Sequence, residues 1–429
     1  MSDAPAQGGG AKPPEKIDAA KPVVKVAAAK PAPAAKAPPP RQGKGLISRA
    51  ITGLVRRVRA LVRFVRRLVV VTVLVLVVYL GICAFLAMQA PYPNEASGLF
   101  VPKGYVAGAY HVHTTASDGR GTPWEIAQAA KRAGLSFVIL TDHNVTPLPP
   151  HWEEGVLIIH GIEHSTASGH LIQLGGERAL LPAELHDKPV QHVVRLGGTA
   201  FLAHPVQSKS PWRDWNGAAG AAGLELYSAD TMLRDAQRQP FARLLPAIGA
   251  YVTNSTHALM TLVQEQPETE KRLLELSEKT PKVALCSHDA HGIPSYETEF
   301  KIMAQYLPVK QSMPEDAGEA ARWVIQSLAR GDGHCVFRAL GDASEFSIQG
   351  LDGPRRAKVG AALRVMIPPT EALEVRLKVM GPGTLEADGR TVKLTKTGPV
   401  QIEVWRRAPG FMGSEWRPWI VPSPIMVHD

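Results

Sequence analysis

Phe137-Val138-Ile139-Leu140-Thr141-Asp142-His143-Asn144 is the stretch on which the fold of this chain turns. Four large apolar residues in a row read as a short buried strand. The strand ends in Asp142 and His143, side chains that bind protons or metals. An apolar strand delivering such groups at its carboxyl end is the layout of an α/β active site.

The same juxtaposition recurs on both sides. Upstream, His111-Val112-His113 precedes Ser117-Asp118-Gly119. Residues two apart on a strand share a face, so His111 and His113 can grip one metal, with Asp118 in the following turn. Downstream come Gly161-Ile162-Glu163 and Gly169-His170, then Ala203-His204-Pro205 after the apolar run 199–202. Last comes Ser287-His288-Asp289-Ala290-His291, after 283–285. Five apolar strands thus finish in His, Asp or Glu. Imidazole and carboxylate suit zinc, manganese or iron, and some nine ligands suffice for two or three ions. A lone histidine at a strand end is more often structural. His151, His186, His192, His257, His334 and His428 lack this context and read as surface or core residues, and His160 and His164 stay outside the ligand set. No Gly-x-Ser-x-Gly elbow and no phosphate-binding Gly-rich loop occurs.

Between the motifs, β-branched runs at 137–141, 156–160, 171–174, 199–203, 224–227 and 283–285 alternate with helical stretches at 123–133, 190–196, 233–245 and 317–329. That alternation predicts an α/β domain over 104–340 with a mostly parallel sheet or barrel. Residues 341–429 lose the helices and read as a small all-β sandwich, with its tryptophans in the core.

The five motifs, in this order, resemble the PHP family, the polymerase-and-histidinol-phosphatase metal-dependent hydrolases, over roughly 105–340. The resemblance implies a distorted (β/α)7 barrel with a di- or trinuclear metal centre. It implies His111, His113 and Asp289 on a first metal and Glu163 bridging two metals. His204 and His170 would hold a further metal shared with Glu163, and Asp118, His143 and His291 the remaining one. Asp142 and Glu225 would support these ligands from behind. His288, where the family has a small residue, either faces substrate or caps a loop. His143, Glu163, Asp289 and His291 would take part in the chemistry, in which a metal-bridging water attacks an ester and a histidine or metal-bound water protonates the leaving group. Only about 24 residues separate Gly175 from Thr199, which resembles the compact branch that includes carbamate- and ester-cleaving metallohydrolases. The segments 400–405 and 416–421 resemble the trailing β-sandwich of outward-facing relatives.

The charge of the chain points elsewhere at first. A net +9 over 429 residues suggests a nucleic-acid binder. Residues 1–67, however, hold 15 basic and three acidic residues, leaving 33 basic and 36 acidic for the other 362. The body is therefore −3, against a broad nucleic-acid surface. Residues 1–44 are Ala, Pro, Lys and Gly and read as disordered. In 45–67, apolar residues recur every three or four positions with arginines on the other face, a helix suited to anionic lipid. Residues 68–88 carry no charge and match the ~20 residues that span a bilayer. With arginine dense before the span and absent just after it, the expectation is an uncleaved anchor over 68–90 in the inner membrane. The N-terminus is then cytoplasmic and the body lies outside, beyond a linker at 91–103.

Three cysteines exclude a disulfide-built scaffold. Cys83 lies in the apolar run, and Cys286 and Cys335 read as buried free thiols. The leading expectation is a membrane-anchored hydrolase of a phosphate ester, or of a carboxyl ester or carbamate. A nuclease or nucleotide phosphatase, and a non-catalytic metal-bearing sensor, are the alternatives.

Overall fold

The computed structural model describes residues 45–90, 92, 102–369, 374–411 and 413–429. The tail expected over 1–44 and most of the linker expected over 91–103 lie outside the described residues. The chain divides into two compact units, Met1–Leu68 and Val69–Asp429.

One helix runs from Leu46 to Met88 and takes in both the amphipathic and the uncharged stretch. Among the described residues it is the one helix long and apolar enough to cross a membrane. Most of its side chains are exposed, and burial begins near the C-terminal end, at Cys83 and Ala87. There it meets the helix Leu245–Tyr251. A Cβ on Gly249 would sit 2.8 Å from Cys83 Cβ and from the Leu80 carbonyl, so only glycine permits this approach.

Strands β1 (Tyr105–Val112), β2 (Phe137–Leu140) and β4 (Val156–His160) are parallel neighbours, with β3 (His151–Glu153) antiparallel at the edge. A second sheet holds β5 (Ile162–Thr166), β6 (Gly169–Leu174), β7 (Thr199–Leu202), β8 (Gly223–Ser228) and β9 (Val283–Ser287) in sequence order. On the other side of β1, β10 (Ala304–Pro308) and β11 (His334–Val336) continue the first sheet antiparallel. The α/β class is as expected, but the sheets are mixed rather than mostly parallel. Only Ala167 and Ser168 separate β5 from β6, and so short a link can join strands only as a hairpin. The expected helix over 233–245 is also divided, into Ala229–Gln237 and a π turn at Pro240–Leu244. Pro240 lacks the N–H that an unbroken helix needs.

The two sheets touch at strand ends. His143 bridges to Glu163 and Val112 to Ala290, both in parallel sense. Gly161 is the corner between β4 and β5: a Cβ there would lie 2.6 Å from Leu174 Cδ2 and 2.9 Å from the Gln173 carbonyl.

The C-terminal strands are β12 (Ser347–Gln349), β13 (Arg356–Lys358), β14 (Ala362–Met366), β15 (Val375–Met380), β16 (Gly383–Leu385), β17 (Thr391–Leu394), β18 (Gly398–Pro409), β19 (Ser414–Pro422) and β20 (Ile425–His428). Strands β12, β14, β17 and β16 form a four-stranded sheet. The others join the first sheet, because β19 pairs with β11, placing Cys335 opposite Val421. One eleven-stranded sheet therefore holds strands from both sides of residue 340. Trp405 and Trp419 are buried in it, as expected of core residues, whereas Trp416 is only half-buried. A polar network adds to the join: Lys378 on β15 bonds Glu270 at 2.6 Å, and Tyr227 on β8 meets Glu403 on β18 at 3.2 Å.

Cys286 on β9 and Cys335 on β11 form a disulfide, their Cα atoms 5.7 Å apart. This corrects the reading of them as free thiols. Gln305 on β10 shows why they meet: it pairs with Cys335 and donates to the Cys286 carbonyl. That proximity across three strands is not encoded in the 49-residue separation.

Candidate metal centre

Glu163 is the hub. It is fully buried as the second residue of β5. Its Oε2 lies 3.2 Å from His111 Nε2, 3.2 Å from His113 Nε2 and 3.1 Å from His143 Nδ1. Its Oε1 lies 2.7 Å from His170 Nδ1 and 3.0 Å from His204 Nε2. Asp289 approaches from β9, with Oδ1 3.2 Å from His113 Nε2 and 3.4 Å from His111 Nε2. At the outer rim, Asp118 meets His291 Nε2 at 3.3 Å and His143 Nε2 at 3.7 Å. The structure thus brings together all nine expected ligands: His111, His113, Asp118, His143, Glu163, His170, His204, Asp289 and His291.

Three overlapping groups gather potential ligand atoms within 4.8 Å: His113, Asp118, His143 and His291; His111, His113, Glu163 and Asp289; and His143, Glu163 and His170. The expected partition by metal differs: His113 and His143 each serve two groups, and His204, expected with His170 and Glu163, falls in none of the three. The donor chemistry fits divalent metal. Ligands about 2.1 Å from a tetrahedral zinc stand about 3.4 Å apart, which matches the observed spacings. Glu163 Oε2 and His143 Nδ1, which face each other in the cluster, are buried without a hydrogen-bond partner, the condition of side chains aimed at an ion.

Backbone conformation sets this convergence. Seven non-glycine residues among those described have positive φ, and His111 (66°), His204 (29°) and Asp289 (48°) are three of them. Such conformations cost energy and concentrate at functional sites. At His111 the pairing of β1 with β2 slips by one residue. His111 and His113 therefore meet through a bulge, with Nε2 atoms 3.1 Å apart, and His113 lies past the strand end. This corrects the simple alternation read from the sequence. A second slip falls on β8 next to Glu225.

Supporting groups surround the ligands. Glu225 accepts from His111 Nδ1 at 2.6 Å and from the His204 backbone N–H at 2.7 Å. It fixes the His111 tautomer so that Nε2 is free to bind. Asp142 accepts from the Thr114 backbone and hydroxyl, each at 2.8 Å, and from Ser117 Oγ at 2.6 Å. It braces the loop carrying Asp118 instead of touching a ligand. Both ring nitrogens of His288 face carbonyls, Met303 O at 2.9 Å and Tyr110 O at 3.3 Å, and burial lowers its pKa to about 4. It thus holds backbone while its edge lines the cavity. His164 bonds Gln173 at 2.8 Å, away from the cluster.

The carboxylates and imidazoles tune one another. Burial opposes a charge on His111, but Glu225, Glu163 and Asp289 outweigh it and hold its pKa well above the ordinary value. Burial likewise opposes charge on His113, and bonds to Asp289 and Glu163 raise it to about 9. Glu163 is held far below the usual carboxylate range, because the imidazoles overcome its desolvation. Without metal, the carboxylates thus favour the protonated form of His111, His113 and His204, whereas burial holds His143 toward its neutral form, and a metal takes the place of the protons.

The cluster forms the floor of a cavity of about 320 Å³. One wall is apolar and comes from the helices Ala229–Gln237 and Ser255–Leu262, which contribute Met232, Leu233, Leu259 and Leu262. Exposed Lys209 stands at its edge. Glu299 also lines it, buried on the helix Tyr296–Ile302. Burial, then Asp289 and Asp230, push the pKa of Glu299 well above its ordinary value. Sequence reading missed this residue, because Tyr-Glu-Thr-Glu-Phe looks like an exposed acidic turn. Only Glu297 faces out, to Arg132 and Lys301.

No family model matches the chain, and no curated protein matches it. Solved structures do. A two-domain protein from Bacteroides vulgatus containing a predicted PHP-like metal-dependent phosphoesterase is 14% identical, covering 75% of this chain and 97% of its own, with a TM-score of 0.39. PsfC from Pseudomonas syringae is 14% identical over 52% of this chain and 96% of its own, with a TM-score of 0.32. A candidate metal-dependent phosphoesterase from Bifidobacterium adolescentis is 15% identical over 44% and 89%, with a TM-score of 0.29.

Proposed function

We propose that this chain is a membrane-anchored, metal-dependent hydrolase of the PHP type, acting on a phosphate ester at a di- or trinuclear centre on a distorted barrel. The carrying observation is the convergence of six histidines on Glu163 and Asp289, five of them in overlapping ligand groups and His204 at 3.0 Å from Glu163. A structural histidine is satisfied by one or two hydrogen bonds, and a shared buried carboxylate hub is redundant for that purpose. His111, His113, Glu163 and Asp289 would hold the innermost ion. His143, His170 and His204 with Glu163, and Asp118 with His291, would hold further ones. Bound metal supplies Lewis acidity and acidifies water. The chain's own part is to hold the imidazoles deprotonated at the ligating atom, as Glu225 does for His111, and to exclude bulk water with the apolar wall.

The long helix supports the anchor, and the disulfide fits an oxidising compartment beyond the inner membrane. The basic stretch 45–67 would rest on anionic lipid. The apolar wall gives a second reading specific support, hydrolysis of a carboxyl ester or carbamate at the same centre.

The test uses the full chain in detergent, loaded with manganese or zinc. Two or more metal equivalents by mass spectrometry, with turnover of a phosphomonoester, are expected. Bound metal without turnover of phosphate or carboxyl esters would sink the hydrolase reading. Glu163→Gln should lower metal content and cut activity at least a hundredfold.

A further inference from the structure

The helix that carries the uncharged span does not end clear of the body. Tyr79 donates its hydroxyl to the Phe241 carbonyl at 2.7 Å, and Thr253 Oγ1 donates to the Ala84 carbonyl at 2.8 Å. Asn254 Nδ2 reaches the carbonyls of Ala87 and Ala90 at 3.2 and 3.3 Å. Tyr79 also meets Phe411, at the tip of the β18–β19 hairpin, with ring centroids 6.2 Å apart. Tyr79 precedes Met88 by nine residues, about 14 Å of helix. A span beginning at Leu68 needs most of the helix to cross ~30 Å of hydrocarbon. On the anchor reading, the segment 240–252 would lie beside the outer half of the span, at the depth of the lipid.

Its composition agrees. Between Pro240 and Val252 the one charge is Arg243, which turns back toward the Thr261 carbonyl. The apolar side chains face outward instead: Phe241 is 76% exposed, Val252 84% and Ile248 49%. Behind them Leu233, Leu244 and Leu259 pack on Ala236, Ala247 and Leu262. Leu233, Leu259 and Leu262 are also the apolar wall of the metal cavity. One apolar layer, two helices thick, thus separates the lipid-facing surface from the metal cluster.

We propose that the segment around Phe241, Ile248 and Val252 is immersed in the bilayer, and that the cavity takes an amphiphilic ester. Its head would sit on the metal cluster and its alkyl chain against Met232, Leu233, Leu259 and Leu262. This rests on the hydrolase and anchor readings above and adds the substrate class to them. A freely soluble substrate gains nothing from so large an apolar wall beside the charged floor. An alkyl chain fills that wall, and the exposed segment provides an entry at the level where such chains lie.

The proposal is tested with the full chain in phosphatidylcholine vesicles. A Val252→Cys variant carries an environment-sensitive fluorophore, and lipids brominated on their acyl chains should quench it strongly. The same label at Thr384→Cys, on the exposed β16, should not be quenched. Equal quenching at the two positions overturns the immersion. For the substrate, ethyl, hexyl and dodecyl phosphates are compared, with p-nitrophenyl alkanoates of the same lengths in parallel. kcat/KM should rise with chain length by up to about fourfold for each methylene seated, the fold-change equivalent to ~0.8 kcal/mol per buried CH2. A flat or falling series overturns the amphiphile while leaving the hydrolase intact. No turnover of any member by metal-loaded protein removes the hydrolase reading itself. An Ile248→Asp/Val252→Asp variant should match the unmodified chain on ethyl phosphate and lose tenfold or more on dodecyl phosphate in vesicles.

Discussion

Glu225 shows how much a single residue decides without contacting an ion. Its two oxygens fix a ring nitrogen of His111, on β1, and the backbone of His204, just past β7. Replacing it with glutamine keeps the shape and removes the charge. Such partners behind a ligand are typically worth 10–100-fold in metal affinity, so Glu225→Gln should weaken metal binding by about that factor. A competition titration with a chelator measures it, and unchanged affinity refutes the positioning role. His334 acts on stability instead. It is buried against Tyr105 and Phe346, and burial lowers its pKa to about 3. Its folded value lies below its unfolded value near 6.5. The unfolded chain therefore gains a proton first as pH falls, and stability drops from about pH 6.5 down toward 3. The melting temperature in detergent should fall as the pH drops below 6.5. His334→Phe should make that fall shallower without abolishing it, because His257 and His288, both lowered to about 4 by burial, lose stability in the same direction, and an identical slope in the variant would count against the assignment.

At the scale of elements, Gly161 makes the turn between β4 and β5 that swings Glu163 into the cluster. A valine there meets Leu174 and the Gln173 carbonyl well inside van der Waals contact. Overpacking of this kind costs ~1–3 kcal/mol. Gly161→Val should lower the melting temperature by several degrees and reduce bound metal, because β5 must shift to relieve the clash. A variant with reduced stability but full metal content would separate the turn from the site. The strand ends were legible in the sequence as local patterns, whereas the hairpin at 167–168 and the break at Pro240 were missed by the reading of a mostly parallel sheet and one helix over 233–245. The bulges at His111 and Glu225 were not legible. A slip of one residue depends on what the neighbouring strand offers and leaves no mark in composition.

For the molecule as a whole, the eleven-stranded sheet makes residues beyond 340 neighbours of the metal-bearing part, and Cys286–Cys335 ties its strand β11 to β9 of the five-stranded sheet. Alkylation of the unreduced, unfolded chain should modify one thiol, Cys83, and reduction should release two more. Three reactive thiols without reductant would contradict both the bridge and the oxidising compartment. Topology follows the same logic: a reporter fused after Asp429 should be active only outside the cytoplasm.

The sequence by itself determined the α/β class, the apolar span, the division of charge between a +12 arm and a −3 body, and all nine candidate ligands. These are local properties: runs of apolar residues, and polar groups placed at strand ends. Tertiary structure decided which ligands share an ion, how His111 and His113 meet, that Cys286 finds Cys335, and that Glu299 is buried. It also laid the segment 240–252 along the apolar helix. Each of these joins residues tens to hundreds of positions apart. Such contacts are fixed by sheet register, bulges and close packing at glycine, which arise only when the whole chain competes for the same space.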